Sequence, residues 1–231
     1  MRAVVVVFPG SNAEVEMVRA LRDRAGVSTT LAWHKDRELP PDTDLVAIPG
    51  GFSYGDYLRP GAIAKAGALV PAIRAHADRG GLVLGVCNGF QVLTEIGLLP
   101  GALSQNQHLR FECSERYVRV EALGPFTYGV AGVLRLPVAH ADGRYHVDHN
   151  TLRRLEQDGR IAFRYCQRDG ELDGGSNVNG SVSSIAGVYG GPERNVLGLM
   201  PHPERASEPY VGNQDGLKLF EAVVHWHAEQ S

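Results

Sequence analysis

A chain of 231 residues that is 43% hydrophobic and 21% charged has enough apolar side chain for one good-sized α/β domain or two small ones. Its formal net charge of −3 excludes a general nucleic-acid or membrane-surface binder, and no apolar run approaches the roughly 20 residues needed to span a bilayer. Three widely spaced cysteines, Cys87, Cys113 and Cys166, argue against a disulfide framework and for a reducing cytoplasm.

In chain order, the apolar run after Met1 and Arg2 is too short for a signal peptide's core and cleavage site. Residues 4–8 are instead a β-branched stretch expected of a parallel strand covered on both faces. Pro9, Gly10, Ser11 and Asn12 end it, and Ser11 or Asn12 could cap a helix carrying Val18, Leu21 and Ala25 at three- and four-residue spacing, with Gly26 as its stop. Strands are expected at Ser28–Trp33, Leu45–Ile48 and Leu82–Val86, with helices over 60–78 and 88–96. This alternation predicts a doubly wound, mostly parallel α/β sheet. The second half carries short β-like stretches at 117–121, 133–137, 161–165 and 185–189, separated by Gly- and Asp-rich turns. They read as extra strands and loops on the same sheet. A closing helix bears Leu217, Phe220 and Val224, and no linker or repeat divides residues 1–231 into two domains.

Gly85-Val86-Cys87-Asn88-Gly89 places a cysteine between two glycines, after an apolar strand and before a helix. That is the setting of a nucleophile elbow, a tight strained turn whose flanking side chains must be absent. The helix starts at the sulfur, so its unpaired N–H groups favour an anion there, and the Asn88 N–H is available to an oxyanion. The competing reading is a buried core cysteine, which the paired glycines disfavour; Cys113 and Cys166 lack such a setting and read as structural. A nucleophile needs a base and the base an orienting group. Pro201-His202-Pro203-Glu204 supplies both: Pro203 pushes His202 out of the helical region, and in an extended segment Glu204 would project beside the His202 ring. A second oxyanion donor is expected from the turn after the third strand, at Gly51 or Gly50.

These segments resemble the class I (triad) glutamine amidotransferases, whose fold is flavodoxin-like. Residues 49–62, Pro-Gly-Gly-Phe-Ser-Tyr-Gly-Asp-Tyr-Leu-Arg-Pro-Gly-Ala, and 198–205, Gly-Leu-Met-Pro-His-Pro-Glu-Arg, narrow the likeness to the family of glutaminase subunits of phosphoribosylformylglycinamidine synthases. The likeness covers essentially the whole chain. It implies catalytic roles for Cys87, His202 and Glu204, and contact with bound glutamine by Gly50, Gly51 and Gln91. It also implies a large synthase subunit that uses ATP, Mg2+ and formylglycinamide ribonucleotide, together with a small third subunit. No cofactor is expected in this chain, which has no Gly-x-x-x-x-Gly-Lys phosphate loop. Two segments depart from the family pattern: Ala141-Asp142-Gly143-Arg144 where Gly-Glu-Gly-Arg is expected, and Val178 where Pro is usual. Two rival readings are a metal-dependent hydrolase built on His140, His146 and His149 with Asp142 and Asp148, and a cysteine-elbow protein of another family on the same fold. The first has no helix-face zinc spacing, and the adjacent His202 and Glu204 argue against the second. A non-catalytic binding module is opposed by the intact Cys, His and Glu.

Overall fold

The computed structural model describes residues 1–230. The strands are β1 (Arg2–Val7), β2 (Ser28–Trp33), β3 (Leu45–Ile48), β4 (Leu82–Val86), β5 (Ala102–Ser104), β6 (Glu112–Val120), β7 (Val133–His140), β8 (Arg144–His146), β9 (Ile161–Cys166), β10 (Ile185–Gly190) and β11 (Val196–Leu199). The helices are α1 (Glu14–Val18, continued by wider π-type turns over Arg19–Arg24), α2 (Val70–Asp78), α3 (Asn88–Glu95), α4 (His149–Gln157) and α5 (Leu217–Gln230). Nine strands form one sheet in the order β2-β1-β3-β4-β11-β10-β9-β6-β7, while β5 and β8 pair as a separate ribbon.

The first five strands of that order are parallel, and β10, β9, β6 and β7 extend the sheet antiparallel. The order 2-1-3-4 is that of a flavodoxin-like doubly wound sheet, in which ligands bind beyond the carboxyl ends of the parallel strands. Strands β1, β3, β4 and β11 are buried along nearly their full length, because helices cover both faces of a parallel sheet. Among the described residues, no helix is long and apolar enough to cross a membrane.

Several expectations are corrected. The helix expected over 60–78 is α-helical only from Val70; before it lie turns and a short 3₁₀ segment, Ala64–Ala66. Gly61 has φ +78°, where a β-carbon would lie 2.7 Å from the Val92 nitrogen, and Gly67 is extended, so the chain cannot coil regularly there. Helix α4 was expected as loop. Its apolar stripe is thin, and it is nucleated by the Asp148 carboxylate, which accepts the Asn150 and Thr151 N–H groups. Strand β11 was not foreseen as a separate element, although it is the central strand that carries the chain into His202.

Gly85 on β4 and Gly198 on β11 face each other across the parallel register. Together they flatten the sheet where α3 lies on it: a β-carbon at Gly198 would sit 2.3 Å from the Phe90 ring. Gly198→Ala should therefore destabilise the protein by about 1–3 kcal/mol through overpacking. Gly174→Ala, where a β-carbon meets nothing within 4 Å, should change stability by less than about 0.5 kcal/mol. Urea unfolding of the two variants side by side checks both values.

Candidate active site

Cys87 stands between β4 and α3 with φ 50° and ψ −106°, a conformation a non-glycine residue adopts only under constraint. Two glycines impose it. A β-carbon on Gly85 would lie 2.7 Å from the Gly89 carbonyl group, and one on Gly89 only 2.0 Å from the Ile48 oxygen. Backbone bonds complete the turn: Cys87 N–H donates to Leu199 O at 2.8 Å, and Gln91 N–H to Cys87 O at 3.1 Å. Cys87 is 5% exposed, and its sulfur lies 3.7 Å from the Ala139 carbonyl, at the end of β7.

The turn after β3 closes one side of the site. A β-carbon on Gly50 would lie 2.5 Å from His202 Cε1 and 3.5 Å from Cys87 Cβ, so only glycine leaves room for the two side chains. Gly51, at φ +151°, is interlocked with the turn after β1, where Phe52 N–H donates to Gly10 O at 2.8 Å. Gly50 thus borders both Cys87 and His202, whereas Gly51 packs against Gly10, Ser11 and Asn12.

His202 and Glu204 enter from the end of β11. The His202 N–H donates to Pro137 O at 2.8 Å, and its Nδ1 pairs with Glu204 Oε1 at 2.5 Å, both residues being 1% exposed. The segment is not extended throughout, as expected from Pro203. His202 alone is non-helical, and Pro203 opens a 3₁₀ turn, Pro203–Ala206, that brings Glu204 around to the ring. The fixed φ of proline suits the first helical position, which explains the difference. Burial opposes charge on His202, but the Glu204 carboxylate and the Cys87 sulfur outweigh it, and the imidazole pKa is raised. The other ring nitrogen, Nε2, is buried with no hydrogen-bond partner, and the ring and Cys87 flank the same point beside Gly50.

Asn88 and Gln91 are buried on the first turn of α3, beside the nucleophile. The Asn88 side chain accepts from Ser53 N–H at 3.1 Å and donates to Gln91 Oε1 at 2.9 Å and to Asp56 Oδ1 at 3.3 Å. Gln91 in turn donates to the Asp142 carbonyl at 2.7 Å. Asp56, which sequence reasoning passed over as part of a loop, is therefore tied to the residue after the nucleophile. Its only signal was an acidic residue inside the Gly- and Tyr-containing segment. The proposed metal cluster disperses. His140 is buried at the end of β7, His146 pairs with Ser104 at 2.7 Å, Asp148 caps α4 and His149 opens that helix in solvent. Among the described residues no three His, Cys, Asp or Glu side chains converge to hold a metal ion. Val178, the other departure, lies in a loop closed by Asn177, which donates to Ser181 O at 2.8 Å.

A cysteine on a strained strand-to-helix elbow, served by a buried His–Glu pair on a flavodoxin-like sheet, defines the triad-type amidotransferase class. The chain belongs to the CobB/CobQ-like glutamine amidotransferase family, whose model matches residues 1–227. It is 52% identical over 228 residues to phosphoribosylformylglycinamidine synthase subunit PurQ of Rhodopseudomonas palustris (strain BisB18), an alignment covering 97% of each chain. The subunit of the same name from Acaryochloris marina is 50% identical over 228 residues, covering 97% of this chain and 96% of its own. Among solved structures, that of PurLQS from Thermotoga maritima contains a chain that superposes with a TM-score of 0.84 at 40% identity, covering 98% of both.

Burial first, and then the charge of Asp142, raise the Asp56 pKa to about 6. The folded value lies above the ordinary one, so between about pH 4 and 6 the folded state holds the extra proton and stability falls as pH rises through that window. Asp56→Asn should accordingly be more stable than the parent at pH 7–8, the gain vanishing below about pH 4. Denaturant unfolding across that range measures it, and a gain of equal size at both ends would contradict the assignment.

Proposed function

We propose that this chain hydrolyses glutamine to glutamate and ammonia through a thioester on Cys87. The ammonia is passed to a partner synthase that converts formylglycinamide ribonucleotide to formylglycinamidine ribonucleotide, in purine biosynthesis. The observation that carries the reading is the placement of Cys87, strained and glycine-flanked, across Gly50 from the His202–Glu204 pair. Relatives about half identical over nearly the whole chain, all named as the same synthase subunit, support the acceptor half of it.

The sulfur attacks the glutamine side-chain carbonyl, forming the C–S bond and moving the π electrons to oxygen. The Asn88 N–H, unpaired at the start of α3, and the Gly51 N–H hold that oxyanion. The C–N bond breaks as His202 gives its proton to the leaving nitrogen, which departs as ammonia. Water then attacks the thioester, His202 takes the proton, and the C–S bond breaks to release glutamate and regenerate the sulfur. Glu204 holds the His202 ring through Nδ1 and stabilises its charged form, so that Nε2 is the nitrogen that works on substrate. Gly50 and Gln91 border the glutamine.

The reading includes no cofactor in this chain. ATP and Mg2+ act on the large synthase subunit, with a small third subunit completing the assembly, a composition in keeping with PurLQS from Thermotoga maritima. A cytoplasmic setting is supported by three cysteines that are all free.

In the reconstituted complex, Cys87→Ser should lower glutamine-dependent synthesis by about 10³-fold or more while synthesis from free ammonia stays near the parent rate. Equal loss of both activities would overturn the division of labour. Alkylation of Cys87 by a glutamine-like diazoketone, with parallel loss of glutaminase activity, provides an independent check.

A further inference from the structure

Behind the nucleophile lies a second histidine that the mechanism above does not use. His140 ends β7 next to Ala139, whose carbonyl is 3.7 Å from the Cys87 sulfur, and it is 3% exposed. Its protonation pattern follows from one neighbour. Asn106 has no exposed surface; its Nδ2 donates to the Arg110 and His140 carbonyls, both at 2.9 Å. Both amide hydrogens are thereby used, so the oxygen facing His140 can only accept. It receives the Gly143 N–H at 3.0 Å and His140 Nδ1 at 3.1 Å. Nδ1 must carry the hydrogen, and Nε2 is left with a lone pair.

That lone pair is buried and has no hydrogen-bond partner. An acceptor left bare in the interior is costly, and an apolar side chain would have filled the space without that cost. The ring cannot relieve the problem by charging: burial, and then the nearby His202, push its pKa down to about 4. The bond from Nδ1 to Asn106 fixes the ring, and glycine at 143 leaves room for it, since a β-carbon there would fall 2.4 Å from Nδ1. The same end of β7 touches both catalytic residues, Pro137 O accepting the His202 N–H at 2.8 Å and Ala139 O lying 3.7 Å from the Cys87 sulfur, so it carries a permanent acceptor to the edge of the site.

Resting on the glutaminase reading of Cys87, we propose that His140 Nε2 accepts a hydrogen bond from the nitrogen of the scissile amide and keeps that bond as the nitrogen departs. The chemistry matches at each stage. The amide nitrogen carries two hydrogens, and ammonia three, so a hydrogen is always available to His140 while the nitrogen lone pair takes its proton from His202. A neutral ring does not compete for that proton and does not convert the product to ammonium, the form that is useless as a nucleophile.

The discriminating substrate is the γ-methyl ester of glutamate, which forms the same thioester but whose leaving oxygen has no N–H. In the full chain assembled with its synthase, His140→Leu should lower the ratio of kcat/KM for glutamine to kcat/KM for the ester by about tenfold or more, the worth of one buried hydrogen bond. His140→Gln, which keeps an acceptor, should recover most of the ratio. Because both substrates are measured on the same molecules, a misfolded fraction cancels. If the two substrates slow by the same factor in both variants, or the ratio does not move, His140 is structural and the proposal falls. If the parent complex releases no glutamate from glutamine, the glutaminase reading itself fails and takes this assignment with it.

Discussion

The first turn of α3 is pressed against the end of β3 so closely that Gly89 has only the Ile48 carbonyl oxygen beside it, with space for hydrogen and nothing larger. From this contact the rest of the site follows. With Gly85 giving way on the strand below, the chain must reverse within one residue, and that residue is Cys87 in a conformation it would not choose alone. The strain is held by the packing of α3 on β4 and β11, where Phe90 and Leu93 are wholly buried. A rigid elbow fixes the sulfur relative to the sheet, and the sheet in turn carries β11 alongside β4 into His202. Two adjacent parallel strands thus deliver nucleophile and imidazole to the same edge.

Electrostatics divides the site into two halves. On the His202 side a buried carboxylate and a sulfur stabilise a positive ring in surroundings that would otherwise keep it neutral. On the opening side, Asp56 and Asp142 bring negative charge close together, and both carboxyl pKa values are raised. Between them the Asn88 and Gln91 side chains form a hydrogen-bonded bridge from the loop after β3 to the loop after β7. That bridge makes the opening a joint product of segments nearly a hundred residues apart. Asp142 contributes to it through its backbone carbonyl, which is why a change from Glu to Asp leaves the bond to Gln91 possible.

Much of this was legible in the linear chain. The continuous apolar runs of β1, β3 and β4 announce a parallel sheet, since only strands buried on both faces dispense with polar alternation. Gly85 and Gly89 around Cys87, and His202 two residues from Glu204, disclose their chemistry because a tight turn and a His–carboxylate pair are local arrangements. Elements whose signal is not local escaped. Strand β11 is four residues long and reads as strand only because β4 and β10 hold it on either side. The break before α2 depends on Gly61 meeting α3, a contact from outside its own segment.

The chain's local chemistry thus determined the elbow, the identity of the nucleophile and the residues that pair with it, because each rests on neighbours within a few positions. Tertiary structure alone decided which of nine histidines is buried with an unpartnered nitrogen, and in which tautomer. His140 acquires its bare nitrogen from Asn106, 34 residues earlier, and from the burial of both. A hydrogen-bond inventory closes only when every partner is in place, and those partners meet across the sheet rather than along the chain.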